Sequence, residues 1–273
     1  MDVLARNNVT RHGSGELTFV FSHGFGCDQT MWRRVAHAFE AHGSVILFDL
    51  VGAGHSDATA YDRTRYATLH GYADDVIEIC DALGIKDAVF IGHSVSATIG
   101  VLSALKRPDL IGRMVMICPS PRYANTDTYR GGFSAEDIQE LLDLMDKNHL
   151  DWSAIMAPTV MGADGDKADQ DDWRDSVCRT DPDIAKQFAR VTFESDHRAD
   201  YQKLKTETLI IGCREDALAP ADVGDFVNWA VKDSTLLTLE TSGHCPHVTV
   251  PLRVIDAIRR FVGDTSDVRL SAA

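Results

Sequence analysis

A serine near the middle of the chain lies where an apolar run changes into a helical pattern, within FIGHSVSATIG (90–100). Gly92 and Ser96 stand two residues before and two residues after Ser94. Small residues at these two positions, between a strand and a helix, are typical of a sharp turn that exposes a nucleophilic hydroxyl. Glycine is usual at the second position, and serine departs from it only mildly. We therefore predict Ser94 as a nucleophile, with a loop serine that caps the following helix as the alternative.

Two carboxylates follow a later strand-like run, TLIIGC (208–213), and either could be the acid of a catalytic triad. In a strand–turn–helix site of this kind, the acid follows the serine in the chain and the histidine follows the acid. The candidates are Glu215 and Asp216. Asp216 is preferred because the apolar residues Ala217 and Leu218 follow it, as expected for a carboxylate buried against a sheet.

Two histidines follow the last strand-like run, TLLTLE (235–240), and a serine hydroxyl needs such a base to become a good nucleophile. His244 is preferred because it comes directly after Gly243 in the loop. His247 is the alternative base, and otherwise a hydrogen-bonded histidine in the first turn of the next helix. A zinc site built on this pair is not predicted, because no third ligand stands at a suitable spacing and H-E-x-x-H is absent.

A tetrahedral oxyanion formed at this serine would need two backbone donors. One is expected from the residue after the nucleophile, Val95, and the other from a loop after an earlier strand. SHGFGCDQTMW (22–32) provides such a loop, in which Gly24 and Gly26 flank Phe25 and would let its amide turn inward. A plain turn is the alternative for this loop.

Short apolar runs alternate with longer amphipathic stretches along most of the chain. The runs are apolar almost throughout, as strands of a parallel sheet with both faces covered are: 17–23, 44–50, 87–93, 113–119, 208–213 and 235–240. The helix-like stretches between them are 30–43, 69–84, 96–108 and 221–231. This alternation predicts an α/β fold with a mostly parallel, doubly wound sheet and helices on both faces.

The alternation stops between about residues 120 and 200, where only helical patterns and turns occur. Four helices are predicted, over 134–149, 151–162, 167–180 and 181–195. Ser134 with Asp137 nearly forms a capping box, and Asp181 with Pro182 is a helix start. We predict a core domain of residues 1–121 and 196–273, and a helical cap of residues 122–195.

Composition restricts the class of protein and its partners. The chain has 273 residues, 44% of them hydrophobic, and a formal net charge of −14, which disfavours nucleic acid or an anionic membrane as a partner. No apolar run approaches the ~18 residues of a membrane span, and no secretion signal is recognised. Six cysteines without a C-x-x-C pair indicate reduced thiols, so a cytoplasmic location is expected. The G-x-G of DLVGAGHSD (49–57) lacks the third glycine of a dinucleotide site, and no cofactor is predicted.

These motifs together resemble the α/β-hydrolases, and in particular the RsbQ-type stress-response hydrolases of bacteria and the plant karrikin and strigolactone receptors. The resemblance rests on GFGCDQTMW, DLVGAGHSD, YDRTRYATLHGYADDV, GHSVSATIG, CPSPRY, TDPDIAKQFA, SDHRADY and GHCPH. It covers nearly the whole chain, and only the acidic stretch MGADGDKADQDDWRD departs clearly from it. It implies an α/β-hydrolase fold with a four-helix cap over a narrow apolar pocket, Ser94, Asp216 and His244 as the triad, and Phe25 and Val95 as oxyanion donors. No metal or cofactor is implied.

The expected pocket selects a small, mostly apolar molecule with one reactive carbonyl. Eight residues are predicted to line it: Phe25, His93, Phe133, Trp152, Met156, Val160, Phe188 and Phe193. The main hypothesis is therefore a serine hydrolase acting on a small ester or lactone. The resemblance also suggests a ligand sensor with little turnover, which would control a PAS-domain serine phosphatase. The same triad would serve C–C bond hydrolases and cofactor-free haloperoxidases.

Overall fold

The computed structural model describes residues 2–263, and its strands form one seven-stranded sheet in the order β1-β3-β2-β4-β5-β6-β7. The strands are β1 (Thr10–His12), β2 (Leu17–Ser22), β3 (Gly43–Phe48), β4 (Ala88–His93), β5 (Ile111–Ile117), β6 (Glu207–Glu215) and β7 (Ser234–Ser242). Every neighbouring pair is parallel except β1 with β3, which is antiparallel. The six predicted runs all correspond to strands, and the mostly parallel sheet is confirmed.

Helices connect and cover these strands. They are α1 (Val3–Arg6), α2 (Leu69–Leu83), α3 (Val95–Lys106), α4 (Ala135–Lys147), α5 (His149–Met161), α6 (Lys167–Arg179), α7 (Pro182–Phe193), α8 (Arg198–Tyr201), α9 (Ala221–Ala230), α10 (Pro246–Thr249) and α11 (Pro251–Val262). Among residues 2–263, no helix combines the length and the apolar content that crossing a lipid bilayer requires.

Both faces of the sheet are buried. Phe19 and Phe21 of β2 point to the face under α11, where they pack against Phe39 and Trp32 with ring centroids 5.0 and 5.1 Å apart. Val20 points to the opposite face and joins the core formed with α2, α3 and α9. Alternate residues of one strand therefore enter two different cores, which is why its sequence is apolar throughout.

The helix predicted over 30–43 is absent from the structure, and two short 3-10 helices, Gln29–Trp32 and Ala36–Phe39, replace it. The Asp28 carboxylate accepts a hydrogen bond from the Thr30 N–H and fixes the first turn. Val35 then has a φ of −116°, far from the α-helical value of about −63°. Both short helices bury apolar side chains, and the apolar spacing of this stretch does not distinguish such turns from one continuous helix.

The helices α4 to α7, called here the four-helix segment, lie between β5 and β6 in the chain. Their buried side chains form one cluster with residues from loops at the carboxyl ends of the strands, including Tyr123, Leu218 and Cys245. Ser134 and Asp137 form the predicted capping box of α4. The four-helix segment therefore covers the edge of the sheet where Ser94 lies, while the domain limits at 121/122 and 195/196 stay a prediction.

Candidate active site

Ser94 occupies a strained turn between β4 and α3. Its φ of 56° and ψ of −124° are unusual for a residue with a side chain, and such strain is typical of functional turns. The turn is possible because its neighbours are small: a side-chain carbon at Gly92 would lie 2.6 Å from the carbonyl oxygen of Ser96. The Ser96 hydroxyl accepts a hydrogen bond from Ser22 at 2.9 Å and so ties the turn to β2.

The structure brings three distant side chains into a chain of hydrogen bonds. His244 Nδ1 lies 2.7 Å from Asp216 Oδ2, and His244 Nε2 lies 2.7 Å from Ser94 Oγ. A carboxylate only accepts, so Nδ1 carries the proton and Nε2 is free to accept the serine proton. All three residues are buried. This arrangement can remove a proton from Ser94 and return it to a leaving group.

Of the two carboxylates, Asp216 reaches the histidine and Glu215 does not. Asp216 is 5% exposed, whereas Glu215, the last residue of β6, points to solvent. The second oxygen of Asp216 accepts hydrogen bonds from the backbone N–H groups of Leu218 and Ala219, at 2.8 and 3.1 Å. These bonds hold the carboxylate in place and compensate the loss of water around it.

Of the two histidines, His244 lies at hydrogen-bond distance from Ser94, whereas His247 lies in the first turn of α10. The His247 ring packs against Trp32 and His93, with centroids 4.5 and 4.4 Å away. Burial lowers the pKa of His247 to about 3, so the ring is neutral at physiological pH. Neither of its ring nitrogens has a hydrogen-bond partner among the described residues. The hydrogen-bonded histidine expected as its alternative role is therefore not what the structure shows.

Two glycines bring the His244 loop against the end of α5. Gly162 and Gly243 have φ values of 68° and 86°, and a side-chain carbon at Gly243 would lie 2.4 Å from the Met161 carbonyl oxygen. Beside this contact, the His244 N–H donates to the Val160 carbonyl at 2.7 Å. The backbone of the candidate base is therefore attached to the four-helix segment.

The Gly243→Ala variant is expected to unfold more easily than Gly84→Ala. Both glycines have positive φ, for which a side chain costs about 1–2 kcal/mol, but a side chain at Gly84 meets no atom within 4 Å. The clash with Met161 should add to this cost at Gly243 alone. Urea unfolding of both variants measures the difference, and equal losses of unfolding free energy would show that the close contact is absent in solution.

The loop that carries Phe25 lies directly beside the serine. A side-chain carbon at Gly24 would lie 3.2 Å from Ser94 Cβ and 2.5 Å from His93 Nδ1. Val95 is the first residue of α3, so its N–H is one of the free donors at a helix start. The structure thus places the Phe25 loop and the start of α3 beside Ser94, and the roles of Phe25 and Val95 as oxyanion donors stay predictions.

A narrow apolar cavity of about 20 Å³ lies between Ser94 and the four-helix segment. Six of the eight predicted lining residues surround it: Phe25, His93, Trp152, Met156, Val160 and Phe193. The His93 side chain also donates from Nε2 to the backbone oxygen of His244, at 2.9 Å. This volume holds about one water molecule, so a ligand must displace side chains to enter.

Phe133 and Phe188 lie outside this cavity. Phe133 packs against Phe193, with ring centroids 6.5 Å apart. Phe188 lines a second cavity of about 20 Å³ on the far side of Phe25. Both were predicted as large apolar residues of the cap, and the sequence does not define which side of the Phe25 ring such a side chain reaches.

Four further residues line the cavity beside the serine and were not predicted: Tyr123, Trp173, Thr192 and Leu218. Tyr123 is the most consequential of them, because its hydroxyl lies 3.2 Å from Ser94 Oγ. If His244 accepts the Ser94 proton, Tyr123 must be the donor in this contact. Burial raises the pKa of Tyr123, which keeps its proton available. Its position in CPSPRY, after a strand end, was the only signal for it in the sequence.

Two groups of buried side chains are close enough together to hold a metal ion. One contains His93, Cys245 and His247, and the other contains Cys118 with the aspartate and histidine beside the serine. In the first group His93 Nε2 already donates to a backbone oxygen. In the second group the aspartate and histidine bond to each other. These bonds occupy His93 Nε2 and the Asp216–His244 pair, whereas both ring nitrogens of His247 are without a hydrogen-bond partner among residues 2–263.

Comparison with known proteins agrees with this fold. Residues 19–257 match the model of the alpha/beta hydrolase family, so the chain belongs to that family and is a hydrolase enzyme. Over 260 residues it is 34% identical to a strigolactone esterase of Arabidopsis thaliana, covering 95% of this chain and 97% of the relative. A karrikin insensitive 2 receptor of Petunia hybrida is 35% identical over 257 residues, covering 94% and 95%.

A solved structure of a hydrolase from Oleispira antarctica superposes with a TM-score of 0.94 at 40% identity, covering 96% of this chain and 97% of that one. The resemblance to the plant proteins, predicted from short motifs, is therefore confirmed over nearly the full length. These similarities define the family and the fold.

Proposed function

We propose that the protein is a serine hydrolase that cleaves a small, mostly apolar ester or lactone. The observation that carries the proposal is a pair of buried hydrogen bonds, each 2.7 Å long, that joins Ser94 to His244 and His244 to Asp216. This geometry supplies a nucleophile, a base and a carboxylate that orients the base, which together are the requirements of acyl transfer through a covalent intermediate.

The reaction would proceed in two half-reactions. His244 Nε2 takes the Ser94 proton as Oγ attacks the carbonyl carbon, and then gives that proton to the leaving alcohol. Water next attacks the acyl-enzyme with His244 again as base, and Ser94 is released. Asp216 holds the imidazole in the required tautomer and stabilises its charge while it carries the extra proton. In a lactone the leaving alcohol stays attached to the acyl group, so one molecule is released.

The developing oxyanion would be stabilised by the backbone N–H groups of Phe25 and Val95. Removing one such donor typically costs about 2.7–4 kcal/mol of transition-state stabilisation. The proposal draws support from the contact of the Gly24 position with Ser94 and from the location of Val95 at a helix start. Tyr123 would add a hydrogen bond to Ser94 Oγ before attack.

The substrate class follows from the cavity walls. Aromatic and aliphatic side chains of Trp152, Met156 and Phe193 surround the serine, and they offer an acyl group few polar partners. The relatives include a protein named as an esterase and one named as a receptor. A small ester or lactone fits both the walls and these relatives better than a charged or peptide substrate does.

The second candidate function is a ligand sensor in which turnover is slow or incidental. The observation that favours it is the narrow cavity of about 20 Å³, since a ligand that enters must move the four-helix segment or Phe25. The family resemblance supports a place in bacterial stress signalling, with a PAS-domain serine phosphatase as partner. We further propose a cytoplasmic setting, supported by six cysteines that are all free thiols within residues 2–263.

Phenylmethylsulfonyl fluoride is expected to modify Ser94 and to abolish hydrolysis of p-nitrophenyl acetate in parallel. Peptide mapping by mass spectrometry locates the sulfonyl adduct, and a sample pre-incubated with a competing ester serves as the protected control. An adduct on another residue, or full modification of Ser94 with hydrolysis unchanged, would overturn the proposed mechanism.

A further inference from the structure

The loop that carries Phe25 lies directly under helix α6 of the four-helix segment. A side-chain carbon at Gly26 would lie 2.9 Å from Val177 Cγ2 and 3.2 Å from Trp173 Cζ2. Both of these α6 side chains are buried, and their spacing of four places them on one face of the helix. The helix and the loop are therefore in van der Waals contact, one residue after the candidate oxyanion donor.

Asp28 adds a polar connection at the end of this loop. Its Oδ1 accepts hydrogen bonds from the N–H and the hydroxyl of Thr30, at 2.9 and 2.5 Å. Its Oδ2 accepts hydrogen bonds from Arg179 Nη2 at 2.5 Å and from Ser176 Oγ at 3.3 Å. One carboxylate oxygen therefore holds the segment that follows the loop, and the other oxygen is held by the last turn of α6.

The Asp28 carboxylate depends on these donors because it is buried. Its side chain is 3% exposed, whereas that of Arg179 is 43% exposed. Burial alone would raise the pKa of Asp28, but the hydrogen bonds from Thr30 and Arg179 outweigh burial and lower this pKa. A buried charge is costly unless it is paired and hydrogen-bonded. Without Arg179, the carboxylate is expected to turn toward water and to move the Thr30 end of the loop with it.

The chain between Phe25 and Asp28 is short and closed by a hydrogen bond. The Cys27 N–H donates to the Gly24 carbonyl at 3.2 Å, which forms a turn around Phe25. Asp28 follows this turn directly and is the N-cap of the 3-10 helix Gln29–Trp32. A shift of Asp28 therefore reaches the Phe25 N–H through a closed turn rather than through a flexible linker.

We infer that Asp28 is a positioning residue, which holds the Phe25 N–H in place for catalysis while α6 is docked on the loop. The inference rests on the proposed function, in which this N–H stabilises the oxyanion. It gives the four-helix segment a second role besides covering the cavity, because docking of α6 completes the oxyanion site. A ligand that displaces α6 on entry would meet a complete site only after α6 has returned.

A second ion pair between α6 and the same segment provides the control. Arg33 pairs with Asp172 of α6, and both of these side chains are exposed. Arg33 follows the 3-10 helix that Asp28 begins, so it lies further along the chain from Phe25. Exposed ion pairs contribute little to stability. Loss of the Arg33 pair is therefore expected to leave the Phe25 loop in place.

The kinetic test compares Arg179→Gln, Arg179→Lys and Arg33→Gln in hydrolysis of p-nitrophenyl acetate. We expect Arg179→Gln to lower kcat about tenfold, which is part of the roughly 10²–10³-fold cost of losing one oxyanion donor. KM should change far less, because the contact matters for the transition state. Arg179→Lys should recover most of the rate, since its ammonium group can still donate to Asp28. Arg33→Gln should match the parent protein.

A thionoester separates a positioning role from general damage to the site. In p-nitrophenyl thionoacetate a sulfur atom replaces the carbonyl oxygen, and sulfur is a weak hydrogen-bond acceptor. This substrate therefore gains little from the oxyanion donors. We expect the ratio of the two rates, oxygen ester to thionoester, to fall in Arg179→Gln by about the same factor as kcat. Equal losses for both esters, or no loss for either, would overturn the inference.

Urea unfolding measures the contact between Asp28 and Arg179 independently of activity. We expect the double variant Asp28→Asn/Arg179→Gln to lose less unfolding free energy than the sum of the two single variants, as residues in contact do. Additive losses would overturn the inference, because the contact would then be absent in solution. Coupled losses in a protein whose parent form hydrolyses neither ester would overturn the proposed function, while the attachment of α6 to Asp28 would stand.

Discussion

Replacing Ser94 by alanine is expected to lower kcat/KM for p-nitrophenyl acetate by about 10⁴-fold or more, because a triad without its nucleophile loses covalent catalysis altogether. The fold should be kept, since alanine is smaller than serine and the strained turn depends on Gly92 and Ser96 rather than on the hydroxyl. Steady-state kinetics of the purified variant measures the loss. Ser234→Ala, at the opposite end of the sheet, is the matched control and should retain parent activity.

The same variant separates the two candidate functions. If the protein acts through turnover, Ser94→Ala should abolish both ester hydrolysis and activation of the proposed partner phosphatase in the same strain. If ligand capture alone is the signal, activation should survive while hydrolysis is lost. Undetectable hydrolysis of short p-nitrophenyl esters by the parent protein would contradict the enzyme hypothesis itself.

The second large effect is expected for His244→Ala, which should lower kcat by about 10³-fold or more with a smaller change in KM. The variant removes the imidazole that would accept the Ser94 proton and whose Nε2 lies 2.7 Å from Ser94 Oγ. The residual rate should then come from oxyanion donors and binding alone. Added imidazole should restore part of the rate if the space that the side chain vacates admits it. The measurement is steady-state kinetics with and without imidazole.

His247→Leu is the control for this histidine. Its ring packs against Trp32 rather than Ser94, and leucine fills a similar apolar space. Activity should therefore stay within a few fold of the parent value, with the change confined to the unfolding free energy. A loss in His247→Leu as large as in His244→Ala would mean that the roles of the two histidines are reversed.

The sheet and the approach of three distant side chains follow from local sequence signals. The strands β2 to β6 each have enough buried positions to produce a nearly continuous apolar run. Parallel strands place their carboxyl ends at one edge. The order of Ser94, Asp216 and His244 along the chain then brings them together, and the structure places them at hydrogen-bond distance. Their catalytic roles stay predictions until the variants above are measured.

Other features could not be predicted because they depend on packing between distant segments. β1 has only three residues and two of them are exposed, so it leaves no apolar signal. The contact of Tyr123 with Ser94 depends on the direction that the loop after β5 takes, and the sequence does not define this direction.

The hydrogen bond from the His244 N–H to the Val160 carbonyl connects helix α5, which covers the cavity, to the backbone of the candidate base beneath it. Any molecule that lifts α5 to enter must also strain or break this bond. If occupancy of the cavity displaces α5, it is energetically linked to the position of the His244 ring, and such a linkage acts equally in both directions. A long-lived acyl group on the serine would in turn hold α5 in its displaced position. The outer surface of the protein would then stay altered for as long as the acyl group remains.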